Sequence, residues 1–159
     1  MSEPKQKPGG SKQDYGTPRA FIRACEARWG HFAVDLAATQ DNAKASRFIP
    51  PEEDSLAVPW AAYFRHAPVL AWLNPPFGAI ERWAAKCAEE TRDSTLRIVM
   101  LTPASIGTQW FAEHVHGKAL VLGIRPRLTF EGTTDPYPKD LMLSLFGFGE
   151  TGFDVWRWT

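Results

Sequence analysis

Apolar residues along this chain fall into two kinds of pattern, and the alternation between them predicts the fold. Val69-Leu70-Ala71-Trp72-Leu73 is an unbroken apolar run, and Leu96 to Thr102 is nearly so. Strands of that character are covered on both faces, which favours central places in a parallel sheet. Elsewhere the spacing is helical. Phe21, Ile22, Cys25 and Trp29 recur on one helix face, which Thr17-Pro18 opens as cap and first position and Gly30 stops. Ile80, Trp83, Ala84 and Cys87 mark a crossover helix over Ile80 to Thr91, and a shorter helix is predicted over Gln109 to His116. Further strands are predicted at His31 to Leu36, Ala119 to Ile124 and Leu141 to Phe148, with Gly152 to Trp158 alternating as a final hairpin partner. Strands alternating with helices imply right-handed crossovers. The expectation is an α/β domain of three layers, with a mainly parallel sheet and a C-terminal antiparallel hairpin.

Ahead of this pattern the chain has nothing to bury. Residues 1 to 14 are rich in Lys, Gln, Pro, Gly and Ser and are expected to form a disordered tail, leaving 15 to 159 as a single domain. Basic and acidic residues balance at 18 each, so no global field draws a polyanion and any nucleic-acid contact must come from a local patch. Lys118, Arg125, Arg127 and Lys139 supply such a patch, though the same residues also read as an ordinary solvated face. Cys25 and Cys87 match no zinc or disulfide spacing, and His114 and His116 point to opposite sides of a helix, so no metal is expected. The basic N-terminus has no apolar stretch behind it, and no run approaches a membrane span. A soluble, intracellular, cytoplasmic protein is expected, as a monomer or weak homodimer.

The most informative chemistry stands where the first buried strand ends, at Asn74-Pro75-Pro76-Phe77-Gly78. An amide delivered into two prolines combines an acceptor oxygen, rigid carbonyls without competing N–H donors, and an aromatic face. Those parts can hold a flat ring bearing an exocyclic amine: Asn74 and the Pro75 carbonyl accept the amine hydrogens, and Phe77 stacks on the ring. The same tetrad also serves as ordinary strand-ending punctuation. Asp35-Leu36-Ala37-Ala38-Thr39 ends another predicted strand, and open parallel sheets gather ligands at such ends. Its carboxylate and small residues would let a cofactor lie close to the backbone at Ala37. No glycine-rich dinucleotide loop or phosphate-cradling loop occurs, which speaks against NAD and ATP. A phosphate-free cofactor carrying a cation, an amine and ribose hydroxyls fits better, and S-adenosylmethionine is the candidate. Asp54 could accept from an adenine amine or lie in a plain acidic loop. Tyr15 and Thr17, at the first helix start, could meet a carboxylate or simply cap the helix.

Taken in order, Asp14-Tyr15-Gly16-Thr17-Pro18, Asp35-Leu36-Ala37-Ala38, Asn42-Ala43-Lys44, Asp54-Ser55-Leu56, Asn74-Pro75-Pro76-Phe77-Gly78 and Arg127-Leu128-Thr129-Phe130 resemble the phage-type (Dam-like) DNA adenine-N6 methyltransferases. The resemblance covers nearly everything after the tail. It implies a Rossmann-like methyltransferase fold using S-adenosylmethionine, with Asn74, Pro75, Pro76 and Phe77 catalytic. It also implies that Tyr15, Thr17 and Pro18 form the N-terminal cofactor motif and that Asp35 and Asp54 contact the cofactor. A phage or prophage gene in a bacterial host is implied as well. Two departures stand out: Ala37-Ala38 replace the glycine of broader methyltransferases, and Phe77 replaces the commoner tyrosine. The stretch from Asp35 to Asn74 is also short for two strand-helix units, so one strand or helix of the usual sheet is expected to be reduced.

On this reading the DNA substrate is held by Lys118, Arg125, Arg127 and Lys139. Target choice falls to the segments Glu131 to Lys139 and Ser105 to Gln109, and so little chain implies a short, permissive target. Two rivals stay open. The tetrad also marks methylases of protein glutamine amides, and the fold could persist as a nucleic-acid-binding module without turnover.

Overall fold

The computed structural model describes residues 16–64 and 68–159, so Tyr15 and the expected tail lie outside the described residues. Helix α1 (Arg19–Trp29) leads into strand β1 (Val34–Asp35), β2 (Arg47–Phe48), the short helix α2 (Trp60–Tyr63) and β3 (Val69–Leu73). Then come α3 (Ile80–Glu90), β4 (Leu96–Pro103), α4 (Gln109–His114), β5 (Ala119–Arg125), β6 (Leu141–Phe146) and β7 (Gly152–Arg157). The strands form one sheet in the order β2-β1-β3-β4-β6-β5-β7.

The two apolar runs take the central places their composition requires. All five residues of β3 are buried, and β3 lies parallel between β1 and β4. Period-two geometry divides each run between two cores. Val69, Ala71, Leu73, Ile98 and Met100 face α3 and α4, where they meet Trp83, Cys87 and Phe111. Leu70, Trp72, Val99 and Leu101 face α1, against Phe21, Ile22 and Cys25. Helices on both faces make the three layers. Trp72 is fully buried and meets Phe21 edge-on at 6.2 Å, burial that contributes about 2–3 kcal/mol for such a side chain. Among the described residues no helix is long and apolar enough to cross a membrane.

The C-terminal hairpin does not form. Strand β6 is antiparallel to both β4 and β5, so both its edges are taken, and β7 pairs in parallel with β5 at the sheet's margin. The link between them leaves β6 at Gly147, whose φ of +82° and close approach to the Leu96 carbonyl at the start of β4 exclude a side chain. An alternating pattern marks a strand but not its partner, so β7 reads identically as a hairpin arm or an edge strand.

Between Asp35 and Val69 the chain holds only the two-residue β2, a single 3₁₀ turn at Pro51–Glu53 and the four-residue α2. β2 is the margin on that side, as the shortness of the segment predicts. From β1 the chain turns outward to β2 and then returns to β3 on the other side, so strand order reverses between β1 and β3. That is where an open sheet leaves a crevice at its carboxyl ends.

Candidate active site

Asp35 and Asn74 end the two strands that flank this crevice, and α1 starts against them. Together with Gly16, Thr17, Ala37, Lys44 and Trp72 they line a small cavity of about 30 Å³. Asp35 is 3% exposed, and its two carboxylate oxygens accept the Ala37 N–H at 3.2 Å and the Lys44 N–H at 3.0 Å. Burial lifts its carboxyl from 3.8 to about 7, against the opposing pull of the Lys44 and Ala37 N–H groups. The intervening loop closes on itself, with Asn42 Oδ1 accepting the Thr39 N–H at 2.7 Å. Backbone thus supplies the scaffold around one buried carboxylate.

Thr17 does not cap α1. Pro18 stands at the cap position without a side-chain bond, and the buried Thr17 Oγ1 instead accepts from Asn74 Nδ2 at 3.1 Å. In this pairing the amide oxygen faces away from Thr17. The nitrogen is turned to α1, and Oδ1 has no donor among the described residues. The Pro76 carbonyl accepts the Ala79 N–H at 3.3 Å, whereas among the described residues nothing donates to the Pro75 carbonyl. Both oxygens are therefore without a donor among the described residues.

Phe77 is half-buried and lines a second, larger cleft of about 520 Å³ with Ser105, Trp110, Tyr137 and Lys139. A cleft of that size lies within the roughly 300–1,000 Å³ usual for ligand sites. The Ser105 and Glu131–Lys139 segments meet here. Tyr137 stands edge-on to Phe77 at 6.0 Å and to Phe130 at 5.6 Å, and burial raises its hydroxyl pKa. Sequence reasoning assigned Tyr137 no role, although its place between Pro136 and Pro138 as the one aromatic of that segment was a usable signal.

The expected basic patch divides. Lys139 lines the Phe77 cleft, and Arg125 is exposed at the carboxyl end of β5, the same side of the sheet as Asn74. Arg127 braces the loop that carries Lys139, through Asp140 at 3.0 Å and the Pro138 carbonyl at 3.3 Å. Lys118 precedes β5, so the length of that strand, about 20 Å at 3.3 Å per residue, separates it from Arg125. It donates to the Glu113 carbonyl on the far edge. Asp54 does not line the Asp35 cavity. It is exposed, with a left-handed backbone at φ +47°, where it ends the 3₁₀ turn.

Lys44 is the other residue sequence reasoning left without a role. Its side chain is 4% exposed and its Nζ lies 2.9 Å from Glu131 Oε1, across 87 residues of sequence.

A family model described as DNA N-6-adenine-methyltransferase (Dam) matches residues 5–140. The chain is 30% identical over 138 residues to a DNA N-6-adenine-methyltransferase of Escherichia phage T1, a match covering 87% of this chain and 55% of that protein. It is 27% identical over 121 residues to a DNA N-6-adenine-methyltransferase of Haemophilus phage HP1 (strain HP1c1), covering 72% of this chain and 66% of the relative. The chain therefore spans between about half and two thirds of the length of the curated relatives it matches.

Proposed function

This chain belongs to the DNA N-6-adenine-methyltransferase (Dam) family, and from that premise we propose that it methylates the exocyclic amine of adenine in DNA, with S-adenosylmethionine as donor. The sheet, with its crevice between β1 and β3, serves as a Rossmann-like methyltransferase scaffold. The carrying observation is that Asn74, its amide nitrogen bonded to Thr17, lines the cavity that holds the Asp35 carboxylate, while Phe77 of the same tetrad lines the larger aromatic cleft. The donor set suits a cationic cofactor. Asp35 offers a carboxylate to an ammonium group, and Ala37 allows close approach to the backbone. When bound, the cofactor supplies an electrophilic methyl group on a sulfonium sulfur.

The chain's own residues then do the positioning. An adenine amine is buried in a duplex, so the nucleotide must be rotated out, and Phe77 in the larger cleft offers a face on which to stack it. Asn74 Oδ1 and the Pro75 carbonyl accept the two amine hydrogens, which directs the nitrogen lone pair toward the methyl group. S-adenosylmethionine would supply the methyl group to the nitrogen so held, whose proton would then pass to solvent. No strong base is required, and most of the acceleration comes from alignment. Lys139 and Arg125, on the same side of the sheet, are the phosphate contacts. Both relatives are phage proteins, which supports a phage or prophage gene acting in the bacterial cytoplasm. Tritiated methyl transfer onto unmethylated DNA, followed by nucleoside analysis, tests the reading. Label in N6-methyladenine supports it, and label confined to protein glutamine or absent altogether overturns it.

A further inference from the structure

Lys44 and Asp35 present opposite charges to one cavity. The ammonium is almost fully buried, its backbone N–H is bonded to Asp35, and its Nζ is paired with Glu131 Oε1 at 2.9 Å. The two partners differ in kind. Asp35 is 3% exposed and held by two backbone donors, whereas the Glu131 side chain is 45% exposed and reaches in from a loop. Its carboxylate lies so close over Gly16, a residue of the cavity wall, that a Cβ there would collide with it. The Glu131 backbone is anchored separately, by its N–H to the Gly16 carbonyl at 2.9 Å, so the side chain can swing out without moving the loop.

A fixed carboxylate and a buried ammonium facing one small space are complementary to an α-amino-acid zwitterion. We propose that Lys44 binds the carboxylate of the cofactor's amino-acid end, and that Glu131 occupies that place only until the cofactor displaces it. This rests on the cofactor reading above. Displacement exchanges one carboxylate for another on a buried lysine, so Lys44 is never left unpaired, which is the costly alternative. The departing Glu131 carboxylate is already half in water and is readily hydrated. Its removal also opens the cavity, whose present 30 Å³ is room for little more than a water molecule.

The test is calorimetric binding of two probes to the full chain. S-adenosylhomocysteine carries the amino-acid end, and 5′-methylthioadenosine lacks it. Glu131→Gln weakens the competitor and should tighten S-adenosylhomocysteine binding by about tenfold, the scale of one hydrogen bond to a charged group, with methylthioadenosine unchanged. Lys44→Met keeps the length and removes the charge, and should weaken S-adenosylhomocysteine by about tenfold or more, again sparing methylthioadenosine. If Glu131→Gln leaves S-adenosylhomocysteine binding unchanged or weaker, or shifts both probes alike, Glu131 is a structural brace and the proposal is wrong. A wild-type chain that binds neither probe overturns the cofactor reading itself, which is a separate outcome.

Discussion

Replacing Thr17 by valine removes one oxygen and keeps the shape, so it isolates what the Asn74–Thr17 bond does. Thr17 is 1% exposed, and its Oγ1 accepts from Asn74 Nδ2 at 3.1 Å, the pairing that holds the amide in place. Losing such a bond forfeits about 1 kcal/mol of positioning, or roughly fivefold in rate. The freed amide can also turn over, so up to half the molecules present –NH₂ instead of oxygen to the amine, a further factor of about two. The transfer step should therefore slow about tenfold. Single-turnover transfer of tritiated methyl onto DNA measures it, with S-adenosylhomocysteine affinity measured alongside, because Thr17 also lines the Asp35 cavity. Thr17→Ser should restore the rate. An unchanged transfer step in Thr17→Val, or a loss appearing only as weaker cofactor binding, would show that Thr17 does not orient Asn74.

Two other outcomes follow from the same geometry. Asp35 carries a folded value of about 7 against 3.8, so the folded state holds this proton more tightly. Its contribution to stability is complete below about pH 4 and is lost as pH rises through about 7. S-adenosylhomocysteine should bind more tightly across that same rise, since the ionised carboxylate receives its ammonium. Melting curves and calorimetry between pH 5 and 8 check both effects, and a pH response identical in Asp35→Asn would contradict them. In DNA titrations, Lys139→Ala and Arg125→Ala should each lower the slope of log K against log salt by about 0.9, the value for one phosphate contact. Lys118→Ala, on the far edge of the sheet, should leave that slope unchanged, and equal effects at all three positions would refute the division of the patch.

What was legible in the sequence was what burial writes into composition. β3 and β4 read as central because an apolar run leaves no face for water, and α1 and α3 showed their core faces at helical spacing. The strand-end positions of Asp35 and Asn74 followed from those elements. Partnership was not legible. The alternation of Gly152 to Trp158 could not say that both edges of β6 were already occupied. Lys118 and Arg125 are near in sequence and far apart in space because a whole strand lies between them. The Lys44–Glu131 pair is the reverse case, 87 residues apart and in contact, and no local pattern encodes it. β2 and α2, at two and four residues, were too short to carry a period.

The central claim is that the Asn74 amide oxygen and the Pro75 carbonyl hold the amine that receives the methyl group. Asn74→Ala tests it most directly, assayed by single-turnover methyl transfer together with S-adenosylhomocysteine binding on the same preparation. Transfer to adenine should be abolished while the nucleoside product still binds with nearly wild-type affinity. Undiminished transfer by the Asn74→Ala chain would contradict the claim.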